Sequence, residues 1–284
     1  MNLPLPSAAS CRTRPATPTD TDGLAANWQR RVARAFSRAA SGYAEQAVAQ
    51  AQMAESLGDY FPAQARSIVD VGCGPGSLTP ALRRHYPEAR LLGVDVTPAM
   101  LDEARRRHGA NRMAGAGDNH WLCADAARLP LRDGSQDLVV SNLAIQWCLD
   151  LPAVLAEFAR VTRRGGRTVV NTLAPGTLAE IDLAWSRPTT SSGVLAFSDL
   201  ATHRQAAALG GWRRIHIRQR QERFYYADLA AVMASIKGVG AQVARDGVRL
   251  TRGDIERARA RYETLRTRRG LPVSYQCLTL VLEH

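Results

Sequence analysis

The run Ser67-Ile68-Val69-Asp70-Val71, broken at once by Gly72-Cys73-Gly74-Pro75-Gly76-Ser77-Leu78, constrains the fold more than any other stretch of the chain. β-Branched residues before the break suit a parallel strand covered on both faces, and a helix restarts after it. Gly72, Gly74 and Gly76 let the backbone turn sharply and come close to a ligand. A dinucleotide loop would read G-x-G-x-x-G, but its third glycine position holds Ser77. Pro75 also removes an amide that a pyrophosphate would use at the helix start. Asp70 would repel phosphate and suits a cationic amino-acid head. A ligand-free strand-to-helix turn uses the same glycines, so the loop alone does not decide.

Three further strand ends carry the reading on. Leu91-Leu92-Gly93-Val94-Asp95 ends in an acid 19 residues after Gly76, near the offset at which a carboxylate meets ribose hydroxyls in doubly wound folds. Trp121-Leu122-Cys123-Ala124-Asp125-Ala126 ends in another, although Asp125 serves equally as a helix cap. Asp137 to Asn142 gives a fourth strand, followed directly by Leu143-Ala144-Ile145-Gln146-Trp147 on the carboxyl edge where ligands of open α/β sheets bind. The loop D-x-G-C-G-x-G resembles the first motif of class I methyltransferases. That resemblance implies an α/β, Rossmann-like, doubly wound and mostly parallel seven-stranded sheet. It also implies S-adenosylmethionine as methyl donor, held by Asp70, Gly72, Cys73, Gly74, Gly76, Asp95, Val96, Asp125, Ala126 and Asn142, with Asp125 accepting from the adenine amino group.

The 284-residue chain has room for one large α/β domain with insertions. No apolar run approaches the roughly 20 residues of a membrane span. Residues 1–25 lack an apolar signal region and read as a flexible tail, so the expected location is cytoplasmic. Cys11, Cys73, Cys123, Cys148 and Cys277 show no metal or disulfide spacing, and Cys73 and Cys123 read as buried fillers. The net charge of +11 suits nucleic acid, an acidic protein partner or a biased genome, and Lys237 is the sole lysine. No nucleic-acid recognition module is recognisable. Arg105-Arg106-Arg107 reads as the solvated end of a helix begun at Pro98.

Helical spacings over 26–60 predict two helices broken near Ser41-Gly42, free to fold over the cofactor. A helix from Leu151 to Thr162, capped by Asp150 and closed by Gly165-Gly166, leads to a fifth strand over Arg167 to Thr172. Residues 175–210 read as an insertion forming a lid before a strand from Arg213 to Arg218. A helix over Asp254 to Arg266 and a strand over Tyr275 to Leu282 close a single domain of residues 26–284.

Transfer from a sulfonium is an in-line displacement in which the enzyme aligns a nucleophile and excludes water, and no metal is required. No histidine lies between Asn142 and Trp147 to act as a base. A carboxylate nucleophile, already ionised at neutral pH, needs none. Ala35-Phe36-Ser37-Arg38-Ala39-Ala40 with Tyr43, then Ser141-Asn142-Leu143-Ala144-Ile145-Gln146-Trp147-Cys148, resemble the malonyl-acyl-carrier-protein O-methyltransferases of biotin synthesis. So do Thr172 to Leu178 with Ala184-Trp185, Ser235 to Ala241, and Leu271-Pro272-Val273-Ser274-Tyr275. The resemblance implies methylation of the free carboxylate of a malonyl thioester on an acidic acyl carrier protein, to which a basic surface is suited.

One departure stands out. The family's H-x-N-R-F, with an arginine suited to the malonyl carboxylate, is replaced by Gly193-Val194-Leu195-Ala196-Phe197. Arg187, Arg204 or Arg38 is the candidate replacement, against a solvated helix face for each. Tyr43, Gln146 and Trp147 are the candidate catalytic residues, with Tyr43, Arg38 and Lys237 for substrate. Tyr43 caps the site or packs in the helical hairpin. Trp147 is core or a cavity wall, Asn142 contacts cofactor or closes its turn, and Lys237 meets the carrier's phosphate or solvent. A different small-molecule methyltransferase and a silent methyltransferase-like binding protein are the competing functions.

Overall fold

The computed structural model describes residues 20–109, 118–186, 194–238 and 251–284. Helices α1 (Asp20–Ala39), α2 (Tyr43–Gln46) and α3 (Val48–Glu55) precede strand β1 (Ser67–Val71). Then follow α4 (Thr79–His85), β2 (Arg90–Asp95), α5 (Pro98–His108), β3 (Asn119–Cys123), β4 (Gln136–Asn142), α6 (Leu151–Val161) and β5 (Thr162–Leu173), alternating except from β3 to β4. The chain continues through α7 (Ala179–Trp185), α8 (Leu200–Leu209), β6 (Arg214–Tyr226), α9 (Leu229–Gly238), α10 (Arg252–Glu263) and β7 (Leu271–Glu283). The sheet has seven strands in the order β3-β2-β1-β4-β5-β7-β6, with only β7 antiparallel to its neighbours. The doubly wound α/β fold expected from the sequence is the one the chain adopts.

Strand β1 lies at the sheet's centre because its apolar residues have cover on both sides. Val69 and Val71 pack with Phe158 and Leu155 of α6, while Ile68 packs with Leu57, Leu82 and Tyr86 on the other face. Strand order reverses between β1 and β4, and the crevice at that switch point opens at the strands' carboxyl ends.

Several boundaries differ from the expectation for identifiable reasons. Helix α1 begins at Asp20, inside the predicted tail; residues 1–19 lie outside the described residues. Asp150 caps α6 as expected, its side chain accepting from the Ala153 amide. The helix ends at Thr162, however, whose hydroxyl donates to the Phe158 carbonyl at 2.7 Å, so Gly165 and Gly166 fall within β5. Strand β6 is more than twice its predicted length, since its Arg, Gln and Glu belong to a polar sheet edge.

Both described helices of the predicted 175–210 insertion pack on the core, and residues 187–193 lie outside the described residues. Helix α8 is an ordinary crossover helix, with Ala206 and Ala207 buried in the same cluster as Phe158 and Trp212. Helix α7 packs Ile181, Ala184 and Trp185 into a second cluster with Tyr262 and Tyr275.

Candidate active site

A cavity of about 350 Å³ lies over the carboxyl ends of β1, β2, β3 and β4. Gly72 and Gly74 of the glycine loop line it, with Asp95 and Val96 after β2, Asp125 and Ala126 after β3, and Asn142 ending β4. Tyr43 and Trp147 line it as well. These nine predicted residues come together although they span more than a hundred positions of sequence.

The loop's three glycines have different duties. All have positive φ, at 72°, 54° and 79°. A Cβ on Gly72 would stand 2.2 Å from the Ala144 Cβ, and one on Gly76 would stand 2.6 Å from the His108 ring. A Cβ on Gly74 would meet no protein atom within 4 Å. Gly72 and Gly76 thus permit the turn to pack, whereas Gly74 keeps its backbone open to whatever enters the cavity.

Carboxylates dominate the charged lining. Asp95 accepts from the Gly74 amide at 2.9 Å and the Thr97 amide at 2.8 Å, which locks loop to strand. Burial raises its pKa, partly opposed by those amides. Asp70 lies beneath the loop, is 2% exposed, and has no partner for Oδ1. Burial foremost, then the Asp95 charge, pushes it up to about 8. A buried carboxyl with a free oxygen beside an open glycine loop fits a ligand bearing a cationic amino-acid head.

The cover comes from α1. Trp28, Gln29, Val32 and Phe36 line the cavity from above. The Trp28 indole donates to the Trp147 carbonyl at 2.9 Å, and the two rings stack with centroids 6.5 Å apart. Phe36 meets Trp147 edge-on at 5.4 Å. Gln29 donates to Asp125 Oδ2 at 2.8 Å, and Asp125 Oδ1 accepts from the Ala127 amide. Asp125 therefore both caps its turn and reaches the cover. Trp28, Gln29 and Phe36 were not among the predicted site residues, although Trp28, Val32, Ala35 and Phe36 form a legible helical stripe.

Asn142 is held from two sides. Its Nδ2 donates to the Gln50 carbonyl at 3.3 Å, and its Oδ1 accepts from Asn171 Nδ2 at 2.9 Å. Asn171, fully buried on β5, also accepts from the Leu143 amide, which steadies Leu143 at a φ of 53°. Tyr43 stands next to Phe36, ring centroids 6.3 Å apart, and desolvation, then the Asp95 charge, raises its pKa. It is a neutral O–H donor at physiological pH.

Other predicted residues lie off the cavity. Gln146 donates to the Leu143 carbonyl and accepts from the Thr172 hydroxyl, so it braces the turn. Cys73 is buried against Gly93, and burial raises its thiol pKa, as suits a filler; Cys123 is exposed instead. Arg38 is exposed at the end of α1, and Arg204 on α8 reaches only the Ile215 carbonyl. The Lys237 side chain and Arg187 lie outside the described residues. Val194 and Phe197, in the stretch where the family arginine would lie, pack on the second core cluster. Among the described residues, no arginine, lysine or histidine lines the cavity.

A family model for the methyltransferase domain matches residues 69–170. The YcgJ protein of Bacillus subtilis shares the fold with a TM-score of 0.56 at 16% identity, covering 82% of this chain and 97% of that one. A putative methyltransferase of Haloferax volcanii, solved with the Trm112 activator, gives 0.53 at 23%, covering 88% and 98%. The chain is an S-adenosylmethionine-dependent methyltransferase of the Rossmann-like class I fold. Its sequence is 36% identical to the malonyl-[acyl-carrier protein] O-methyltransferase of Serratia marcescens, over 86% of this chain and 91% of that protein. The same enzyme of Hahella chejuensis is also 36% identical, over 86% and 87%. The biotin biosynthesis bifunctional protein BioHC of Cellvibrio japonicus is 34% identical, and the chain spans 50% of its length. The chain belongs to the malonyl-[acyl-carrier protein] O-methyltransferase family.

Proposed function

We propose that the protein methylates the free carboxylate of a malonyl thioester carried on an acidic acyl carrier protein, as a cytoplasmic step of biotin synthesis. The observation that carries this reading is a cavity with carboxylates along its floor, neutral donors along its roof and an otherwise apolar lining. S-Adenosylmethionine supplies an electrophilic sulfonium methyl. Asp70 and the open backbone at Gly74 are assigned to its amino-acid head, Asp95 to the ribose hydroxyls, and Asp125 with Ala126 to the adenine.

Transfer between a cation and a carboxylate ends in two neutral groups, so an enclosed apolar site favours the charge-neutralised transition state over the separated ions. Tyr43 and the second N–H of Asn142 are assigned to orient the acceptor carboxylate. Neutral donors hold the anion without tying up its charge as a guanidinium would, which keeps it nucleophilic. Trp28, Phe36 and Trp147 exclude water. Residues from α1 to the C-terminus act together as one catalytic domain.

The test is incubation with S-adenosylmethionine and malonyl-carrier protein, followed by intact-mass measurement. One added methyl, lost on mild ester hydrolysis, supports the reading. Methylation of free small carboxylic acids with an untouched carrier would transfer the assignment to a different carboxyl methyltransferase, in keeping with the apolar stretch that replaces the family's arginine.

A further inference from the structure

Three helices of this protein pair their arginines with acids of the same helix. On α5, Arg105 lies 2.7 Å from Asp102, and Arg106 and Arg107 share Glu103. On α6, Arg160 lies 2.7 Å from Glu157, and on α10 Arg257 lies 3.0 Å from Asp254. These arginines are paired within their own helices, and the solvated run at 105–107 shares two acids among three arginines.

Helix α1 differs from these, as does α4, whose Arg83 and Arg84 have no acid on their own helix; of the two, α1 is the one that lines the cavity. From residue 23 to residue 44 the chain contains no Asp or Glu, yet besides Arg31, which stacks on Trp28, it carries Arg30, Arg34 and Arg38. All three are exposed and make no ion pair with another described residue. Spacing of four residues sets them about 6 Å apart along the axis on one face. That face is turned away from Trp28, Val32 and Phe36, which line the cavity. The cover of the active site is therefore amphipathic in an unusual sense: its inner side is aromatic and its outer side is an uncompensated cationic ridge.

We infer that the outer face of α1, through Arg30, Arg34 and Arg38, is the docking surface for the acidic carrier protein. The inference rests on the carrier-bound substrate proposed above. A tethered malonyl group has to be presented alongside the element that covers the cavity, and the ridge lies on that element. Exposed, unpaired guanidiniums steer an anionic partner and give salt-dependent association without costing buried charge. Arg38 thus acts on the carrier and not on the malonyl carboxylate.

The experiment compares wild type, R30E/R34E/R38E, and a charge-matched control, R66E/R84E/R90E. The control changes exposed arginines at the opposite, amino end of the sheet. Carrier affinity is measured by fluorescence anisotropy, and kcat/KM is measured with malonyl-carrier protein and with malonyl-pantetheine at several salt concentrations. For the α1 variant, carrier affinity and kcat/KM should fall at least about tenfold and lose their salt dependence. Malonyl-pantetheine turnover and S-adenosylhomocysteine binding should be retained, and the control should resemble wild type. Equal losses in the α1 variant and the control would overturn the inference, as would an α1 variant with unchanged carrier affinity. So would a random DNA duplex binding wild type as tightly as the carrier does and being weakened equally. If wild type methylates neither thioester, the proposed function fails, and that outcome is distinct from failure of docking alone.

Discussion

The floor and the roof of the cavity are built on different physical terms. The floor consists of strand ends and a glycine loop tied by backbone hydrogen bonds, with Asp95 bridging Gly74 and Thr97. The roof is one helix held by side chains reaching across more than ninety residues, Trp28 to Trp147 and Gln29 to Asp125. A floor tied in this way is preformed, which suits the cofactor assigned to it above, whereas the roof is held by side-chain contacts alone. Cofactor affinity should therefore depend mainly on floor residues, while retention of ligand and exclusion of water should depend on roof residues.

The sharpest way to break that comparison lies within the loop. Gly72→Ala combines backbone strain with a Cβ forced to 2.2 Å from the Ala144 Cβ and should cost about 3 kcal/mol of stability, read as a lowered unfolding midpoint. Gly74→Ala suffers the strain alone, about 1 kcal/mol, yet should lose cofactor binding out of proportion because its methyl enters the ligand's space. If Gly74→Ala bound normally, the open cradle would not be the cofactor's.

Asp70 gives the next effect. Its folded pKa of about 8 exceeds the ordinary 3.8, so the native state holds a proton that the unfolded chain has released between those values. Stability of the free protein should fall as pH rises from about 4 to about 8 and level off above. Bound S-adenosylhomocysteine, whose ammonium favours the carboxylate, should flatten that fall and release a proton near pH 7, seen as buffer-dependent heats. Asp70→Asn should remove the slope, stabilise the free protein at pH 8 by roughly 1–3 kcal/mol and weaken binding. A slope that persists in Asp70→Asn would assign the titration elsewhere.

For the roof, Trp28→Phe removes the hydrogen bond to Trp147 but keeps the ring, and should cost about 1 kcal/mol, seen mainly as faster cofactor release in stopped-flow fluorescence. Gln29→Ala should have a smaller effect of the same kind, since its bond to Asp125 is exposed to solvent. An equilibrium affinity loss matching that of floor variants would erase the distinction.

The same contrast explains what was legible in the sequence. Gly72, Gly74, Asp95 and Asp125 were readable because strand, loop and acid follow one another locally. Residues 26–60 were expected to fold over the site, but which of their side chains seal it was not readable, because apolar stripes on α1, α7 and α8 look alike until tertiary packing assigns each a partner. Trp147 helps form the roof, but nothing within its own segment names Trp28, 119 residues away, as its partner. Asn171 escaped notice because an asparagine inside a buried strand signals little until Asn142 is placed beside it. Arg105 to Arg107 do form the solvated end of the helix begun at Pro98, as read; what the run alone did not show is that Asp102 and Glu103, three and four residues back, pair with it.

Calorimetric titration of S-adenosylhomocysteine into wild type, Asp95→Ala and Trp28→Phe tests the division most directly. Losing the charge-assisted contact of Asp95 should weaken binding by about 1.5–3 kcal/mol, while Trp28→Phe should change affinity by less than half as much. An Asp95→Ala protein that folds and binds with unchanged affinity would contradict the assignment of the floor as the cofactor site.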